Sequence, residues 1–318
     1  MRLGDGGLAA GRLSAKARMY GFVISFLAVP LVLYVVFVIS PYVQAFYISL
    51  TNWRGVSASP QFIGLENFTR LLDDDVFWAA VRHHGLLLLA MPLITIAIAL
   101  FFAFLLNLGG GSKGGTMTGV RGSKFYRVVY FFPQVLAVAV VGVLFQAIYR
   151  PDSTGVLNGL LSMVGFKEPV GWLINTDLAL WSIMGVLVWQ AVGFYVVLFS
   201  AGMSAIPRDV FEAAALDGAG RFRLFFSVTL PLIWDTIQVG WVYLGIAAFD
   251  AFALVQVLSV DRGGPDNATT VLPLEIWRSA FTFSKFGYAS AMGVALFFLT
   301  ITFAALSLRV TRRERIEL

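Results

Sequence analysis

The stretch E212-AAALDGAGRFRLFFSVTL-P231 lies between two long apolar runs and is charged, alanine-rich and interrupted by Gly218. Pro207 suits a first helical turn, and Asp209 and Glu212 suit the positive N-terminal end of a helix. Asp217-Gly218 is a break at which the chain can reverse. A second helical piece then runs from Arg221 toward Leu230-Pro231. Val210, Phe211 and Ala214 give the first piece an apolar edge, and Phe222, Phe225 and Phe226 do the same for the second. The pattern predicts two short helices at a membrane surface, offering a knob to a partner's groove. A loop that only packs beneath its own bundle would look similar.

The surrounding chain makes the surface a membrane. Of 318 residues, 58% are hydrophobic and 13% charged, and mean hydropathy is +0.82, far from the composition of soluble domains. Six runs are long enough to cross a bilayer: 20–40, 85–108, 128–148, 178–203, 232–257 and 286–308. Pro30, Pro92 and Pro133 fall inside them, as membrane bundles tolerate. The first run follows Arg12, Lys16 and Arg18 without a small-residue cleavage pattern, so a retained helix is expected. The resulting division is a tail at 1–19, one six-helix domain at 20–310 and a tail at 311–318.

Basic residues resist translocation and so fix orientation. Placing both termini in the cytoplasm puts fifteen of the 23 Lys and Arg residues on that side. These include Lys113, Arg121, Lys124 and Arg127 in the second loop, and Arg208, Arg221 and Arg223 around the opening stretch. The segment 109–119, GGGSKGGTMTG, reads as a slack cytoplasmic connector. It lacks the spacing of a phosphate-binding P-loop, and no strand precedes it. The net charge of +5 then follows from topology, and no basic stripe interleaved with aromatics points to nucleic acid.

The chemical inventory argues against an enzyme. The chain has no Cys, which removes disulfides, thiolate metal sites and cysteine nucleophiles together. His83 and His84 point about 100° apart on a helix and cannot share a tetrahedral metal site alone; a solvated pair at the outer edge of the second run is expected. No nucleophile has a base at suitable spacing. Any ATP chemistry must belong to another chain.

The opening stretch resembles a specific signature. Glu212-Ala213-Ala214, three residues, Gly218, nine residues, Val228, one residue and Leu230-Pro231 match the EAA-x3-G-x9-I-x-LP pattern of permease subunits in binding-protein-dependent ABC importers, with Val228 in place of Ile. Other segments resemble the carbohydrate-importer branch of that family, and the first of its two permease subunits. They are PYVQAFYISLTNW (41–53), FIGLENFTRLL (62–72), VFWAAV (76–81), RVVYFFPQVLAVAVVGVLFQAIY (127–149), GGPDNATT (263–270) and FGYASAMGVALFF (286–298).

This resemblance implies an all-α integral membrane fold, a six-helix importer bundle with cytoplasmic EAA coupling helices. Glu212, Ala213, Ala214, Asp217, Gly218, Leu230 and Pro231 would form the element that docks on a cytoplasmic ATPase. It further implies a second permease subunit, two ATPase subunits that use the ATP, an extracytoplasmic solute-binding protein, a sugar substrate and a bacterial inner-membrane location. Gly263, Gly264 and Pro265 would shape the outer loop facing the binding protein. Asn267-Ala268-Thr269 fits a glycosylation acceptor, which the bacterial resemblance discounts.

Polar groups at mid-span need a reason. Gln190 and Phe194 share a helical face with Leu187 and Ala191, near Trp189; Tyr243, Ala247 and Asp250 form another stripe beside Ala248 and Ala251. Together they make a candidate sugar pathway of an aromatic platform and a few hydrogen-bonding groups. Helix-to-helix packing is the plainer use of the same residues. A secondary transporter would need its own ion-coupling acids, for which Asp250 alone is thin support. A non-transport membrane scaffold would make the EAA spacing accidental.

Overall fold

A computed structural model describes residues 6–56, 60–108, 112–113, 116–117 and 119–310. These residues are built into helices, with a two-stranded antiparallel pairing, Ser112–Lys113 with Thr116–Met117, inside the predicted connector and an isolated antiparallel bridge between Thr51 and Phe62. Residues 109–111, 114–115 and 118 of that connector, residues 1–5 of the first tail and the second tail (311–318) lie outside the described residues.

Among the described residues, four helices are long and apolar enough to cross a bilayer: Arg18–Ser49, Asp75–Asn107, Ala179–Ala205 and Phe286–Arg309. These are the first, second, fourth and sixth predicted spans, each somewhat longer than its apolar run. Asp74 explains the early start of the second, because its Oδ1 accepts the Val76 and Phe77 backbone N–H groups at 2.8 and 3.1 Å. A carboxylate there satisfies N–H groups that have no partner inside the helix.

The third and fifth runs are not straight spans. Ser123–Val135 and Val138–Ile148 meet at 95°, because Leu136 and Ala137 adopt extended backbone (ψ 137° and 136°). In the fifth, Arg221–Leu232 and Trp234–Phe249 meet at 70° about Ile233. A further interruption follows at Asp250 and Ala251 before Phe252–Leu258. Gln146, on the helix after the first break, ties to the last turn of Phe252–Leu258, donating from Nε2 to Val257 O at 2.7 Å.

The core lies where Asp75–Asn107, Ala179–Ala205 and Trp234–Phe249 pack, around Leu87, Met91, Ile183, Met184, Phe199 and Leu244. Gly193 lets the broken third segment cross close. A Cβ there would stand 1.7 Å from the Tyr130 carbonyl oxygen, so only hydrogen fits. The first long helix stays at the edge, touching Phe286–Arg309 through Tyr42 and Phe46 against Phe297 and Phe298.

The outer segment 260–272 folds back over the start of the second span and corrects the expectation for the histidines. His84 is 2% exposed and its ring stacks on Phe249 with centroids 5.4 Å apart. His83, half-buried, donates from Nδ1 to Thr270 O at 2.8 Å. They are packing and anchoring groups rather than a solvated pair.

Candidate functional site

Two regions carry the sequence-predicted residues. The first is the EAA stretch. Helix Arg208–Leu216 ends at Asp217, and Gly218 follows at φ 77°. Ala219 N–H donates to Ala214 O at 3.0 Å and Gly218 N–H to Ala215 O at 3.0 Å. This pair of bonds closes a helix through a left-handed residue, which glycine adopts without the Cβ clash that costs other residues roughly 1–2 kcal/mol. Nothing lies within 4 Å of where a Gly218 Cβ would be, so the requirement for glycine here is conformational and not spatial.

A short helix, Arg221–Leu224, comes next. It widens into a π-turn over Phe225–Thr229, where Leu230 N–H donates to Phe225 O, and ends at Leu230–Leu232. Pro231 has no N–H and so sits at the 70° bend without leaving a donor unpaired. The two pieces divide their faces. Val210 and Phe211 pack on the core, and Phe225 is buried against Phe104, centroids 4.8 Å apart. Glu212 and Ala213 face outward, with Ala214 half-buried beside them. Leu216, one turn beyond Glu212, is 89% exposed, and Phe222 is 74% exposed. Leu216 and Phe222 thus expose apolar surface on the two pieces, and Glu212 adds a carboxylate that has no ion pair among the described residues. Leu216 had no signal in the spacing, since the EAA pattern leaves its position open.

The second region is a cavity of about 330 Å³. Gln190, Ala247 and Asp250 line it together with Leu187, Ala191 and Ala251, as the two helical stripes predict. Phe194 and Tyr243 are outside its lining, on exposed faces at 42% and 65%. The cavity also includes Gln134, which follows Pro133 in an otherwise apolar run and is the polar lining residue the sequence reading missed. Two helix breaks reach this place. Gln134 and Val138 flank the one at Leu136–Ala137, and Asp250 and Ala251 form the other. Non-helical backbone at membrane depth is stable where it is buried in protein or lines a wet cavity. Gln190 stands near the middle of the 27-residue helix Ala179–Ala205, so the cavity is at mid-depth. The volume lies at the low end of ordinary ligand pockets, about 300–1,000 Å³. The lining offers one carboxylate, two carboxamides and no cation.

The GGP segment is a pinned loop. Asp261, Arg262, Gly264, Asp266 and Asn267 all have positive φ, and Gly263 is buried with Pro265 half-exposed. Thr269 N–H donates to Gly263 O at 2.9 Å. Arg278 Nη1 donates to Asn267 Oδ1 at 3.3 Å and to Glu275 Oε2 at 2.9 Å. Burial raises the Glu275 carboxyl above the usual range, with Arg278 pulling the other way. The exposed groups of this loop are Asp261, Arg262 and Asp266 rather than the glycines.

A helical membrane bundle with a polar hollow at mid-depth is the construction of a permease. The chain belongs to the family described as binding-protein-dependent transport system inner membrane component, whose sequence model matches residues 86–316. Among its relatives, the diacetylchitobiose uptake system permease protein NgcF of Streptomyces coelicolor is 44% identical over 293 residues, covering 92% of this chain and 82% of the relative. The multiple sugar-binding transport system permease protein MsmF of Streptococcus mutans is 31% identical over 293 residues, covering 91% and 94%. A chain from the crystal structure of a bacterial alginate ABC transporter, in complex with an alginate pentasaccharide-bound periplasmic protein, superposes with a TM-score of 0.79. It is 21% identical and covers 96% of this chain and 99% of its own. At that identity the likeness speaks for the fold alone.

Proposed function

We propose that this chain is one of two permease subunits of an ATP-driven sugar importer in a bacterial cytoplasmic membrane. It has six membrane crossings, with both termini cytoplasmic and each bent pair making one crossing. Its EAA segment docks on an ATPase subunit, two of which supply ATP hydrolysis; the outer face receives a solute-binding protein; sugar passes along the cavity at Gln134, Gln190, Ala247 and Asp250. The observation that carries this reading is the continuity of one segment. The exposed tip at Glu212 and Leu216 is joined through the bend at Ile233 to helix Trp234–Phe249, and that helix ends at Asp250 in the cavity. Helices packed on one another and joined by short turns are a means of coupling two sites. The sugar class rests on the relatives' substrates and on a lining of carboxamides and one carboxylate, which suits polyhydroxyl ligands.

Reconstitution tests it. In liposomes, the chain alone should hydrolyse no ATP; with its second permease and ATPase it should hydrolyse ATP and accumulate sugar on addition of loaded binding protein. Hydrolysis by the isolated chain would sink the assignment. Topology has a separate check. Reporter fusions after Asp152 and Asp266 should report the outside and fusions after Gly115 and Gly218 the inside, and reversal of either pair would overturn the six-crossing arrangement.

A further inference from the structure

We infer that Asp250 sorts cargo by charge, an assignment that rests on the sugar pathway proposed above. Glycans that are uncharged or carry an amine enter the hollow, and glycans bearing a carboxylate, sulfonate or phosphate are turned away. The polar side chains of the lining are Gln134, Gln190 and Asp250. Gln134 and Asp250 are exposed and Gln190 is half-buried. None of the three side chains makes a hydrogen bond or an ion pair among the described residues. Gln146, on the same broken segment as Gln134, shows the contrast, since its Nε2 ties two helices together through Val257 O at 2.7 Å. Polar groups gathered at mid-depth without protein partners are available to a passing solute.

The charge of this place is one-sided. No Asp, Glu, Lys or Arg occurs in 83–112, 128–149 or 179–205, the runs that bring Met91, Gln134 and Gln190 to the lining. Between Arg223 and Arg262 the charged residues are Asp235, Asp250 and Asp261, all acidic. Asp235 stands at the start of the helix that Asp250 ends, about 22 Å away at 1.5 Å per residue. Nothing on these elements neutralises the Asp250 carboxylate. The backbone holds the residue in place: its N–H donates to the Ile246 and Ala247 carbonyls, each at 3.2 Å, and its own carbonyl accepts from Phe252 N–H at 2.7 Å. A carboxylate only accepts hydrogen bonds. Sugar hydroxyls donate to it, and an ammonium makes the stronger, charge-assisted bond. An acid group on the cargo meets like charge instead, with no guanidinium or ammonium in the lining to receive it. At about 10 Å and an effective dielectric near about 20, one unit charge changes the local concentration of a singly charged solute roughly tenfold.

The chain has no cysteine, so Ala247→Cys places this subunit's only thiol in the lining. In the assembled importer, with its second permease and ATPase, that thiol is treated with methanethiosulfonates ending in trimethylammonium or in sulfonate. Modification is followed by the intact mass of this chain, and each rate is divided by that of the same reagent with a free thiol in solution. The ammonium reagent should be favoured about tenfold or more. Asp250→Asn should bring the ratio near unity, and Asp250→Glu should keep most of it. Equal normalised rates with Asp250 in place would overturn the proposal. So would rates that rise or fall together on Asp250→Asn, which would make the residue structural. Silence of the thiol toward both reagents, with and without ATP, would take the hollow out of the aqueous pathway and overturn it as well. The sugar pathway fails by a different result: a preference abolished by Asp250→Asn, in an importer that accumulates no sugar from loaded binding protein, supports the charge filter and sinks the sugar assignment.

Discussion

Gly218→Val is expected to abolish sugar import by the assembled importer, with uptake falling at least a hundredfold while membrane insertion and pairing with the second permease persist. A β-branched residue at φ 77° is strained by more than the roughly 1–2 kcal/mol of an ordinary side chain, and the two bonds closing helix Arg208–Leu216 depend on that conformation. Since the space around Gly218 is open, Gly218→Asn should recover most of the activity, because Asn tolerates the left-handed region. That rescue separates backbone conformation from crowding. Glu212→Lys should act differently, leaving the helix intact but reversing the charge beside the Leu216 tip; like-charge contacts at an interface cost several kcal/mol. Co-purification of the ATPase and uptake should fall together in both variants. Parental uptake and ATPase retention in both would leave the EAA segment no coupling role.

Ala247→Trp is expected to block import as completely, with the opposite signature on the ATPase. The indole would fill much of a hollow of about 330 Å³, so sugar could not pass, yet the docking tip is a helix length away and the ATPase should stay bound. Gln190→Leu should reduce uptake about tenfold, as loss of one well-made hydrogen bond to a bound ligand does. Phe194→Ala and Tyr243→Ala should change uptake less than twofold, because neither lines the cavity. Radiolabelled uptake alongside ATPase pull-down reads all four. Near-normal import by Ala247→Trp would place the pathway elsewhere.

The membrane class, the long helices and the EAA turn were legible because each rests on local chemistry: continuous hydropathy, a glycine at a helix end, a proline at a bend. The breaks at Leu136–Ala137 and Asp250–Ala251 were not. Neither pair contains Gly or Pro, so no local residue signal marks where the helix is interrupted. The cavity was half legible for the same reason. A period of 3.6 placed Gln190, Ala247 and Asp250 on plausible faces, but it could not bring Gln134 to them or turn Phe194 and Tyr243 away. His84 misled because hydropathy cannot foresee a distant loop, 260–272, folding over a helix start.

Under the proposed function, helix Trp234–Phe249 would act as a lever between the sugar pathway and the ATPase. Sixteen residues span about 24 Å, so a tilt of about 10° at the Ile233 end carries the Asp250 end sideways by roughly 4 Å. A hydrogen bond is lost well within that displacement. If sugar is held at Asp250 and the ATPase at the Leu216 tip, as proposed, the direction of tilt decides whether grip at one end accompanies closure at the other or excludes it.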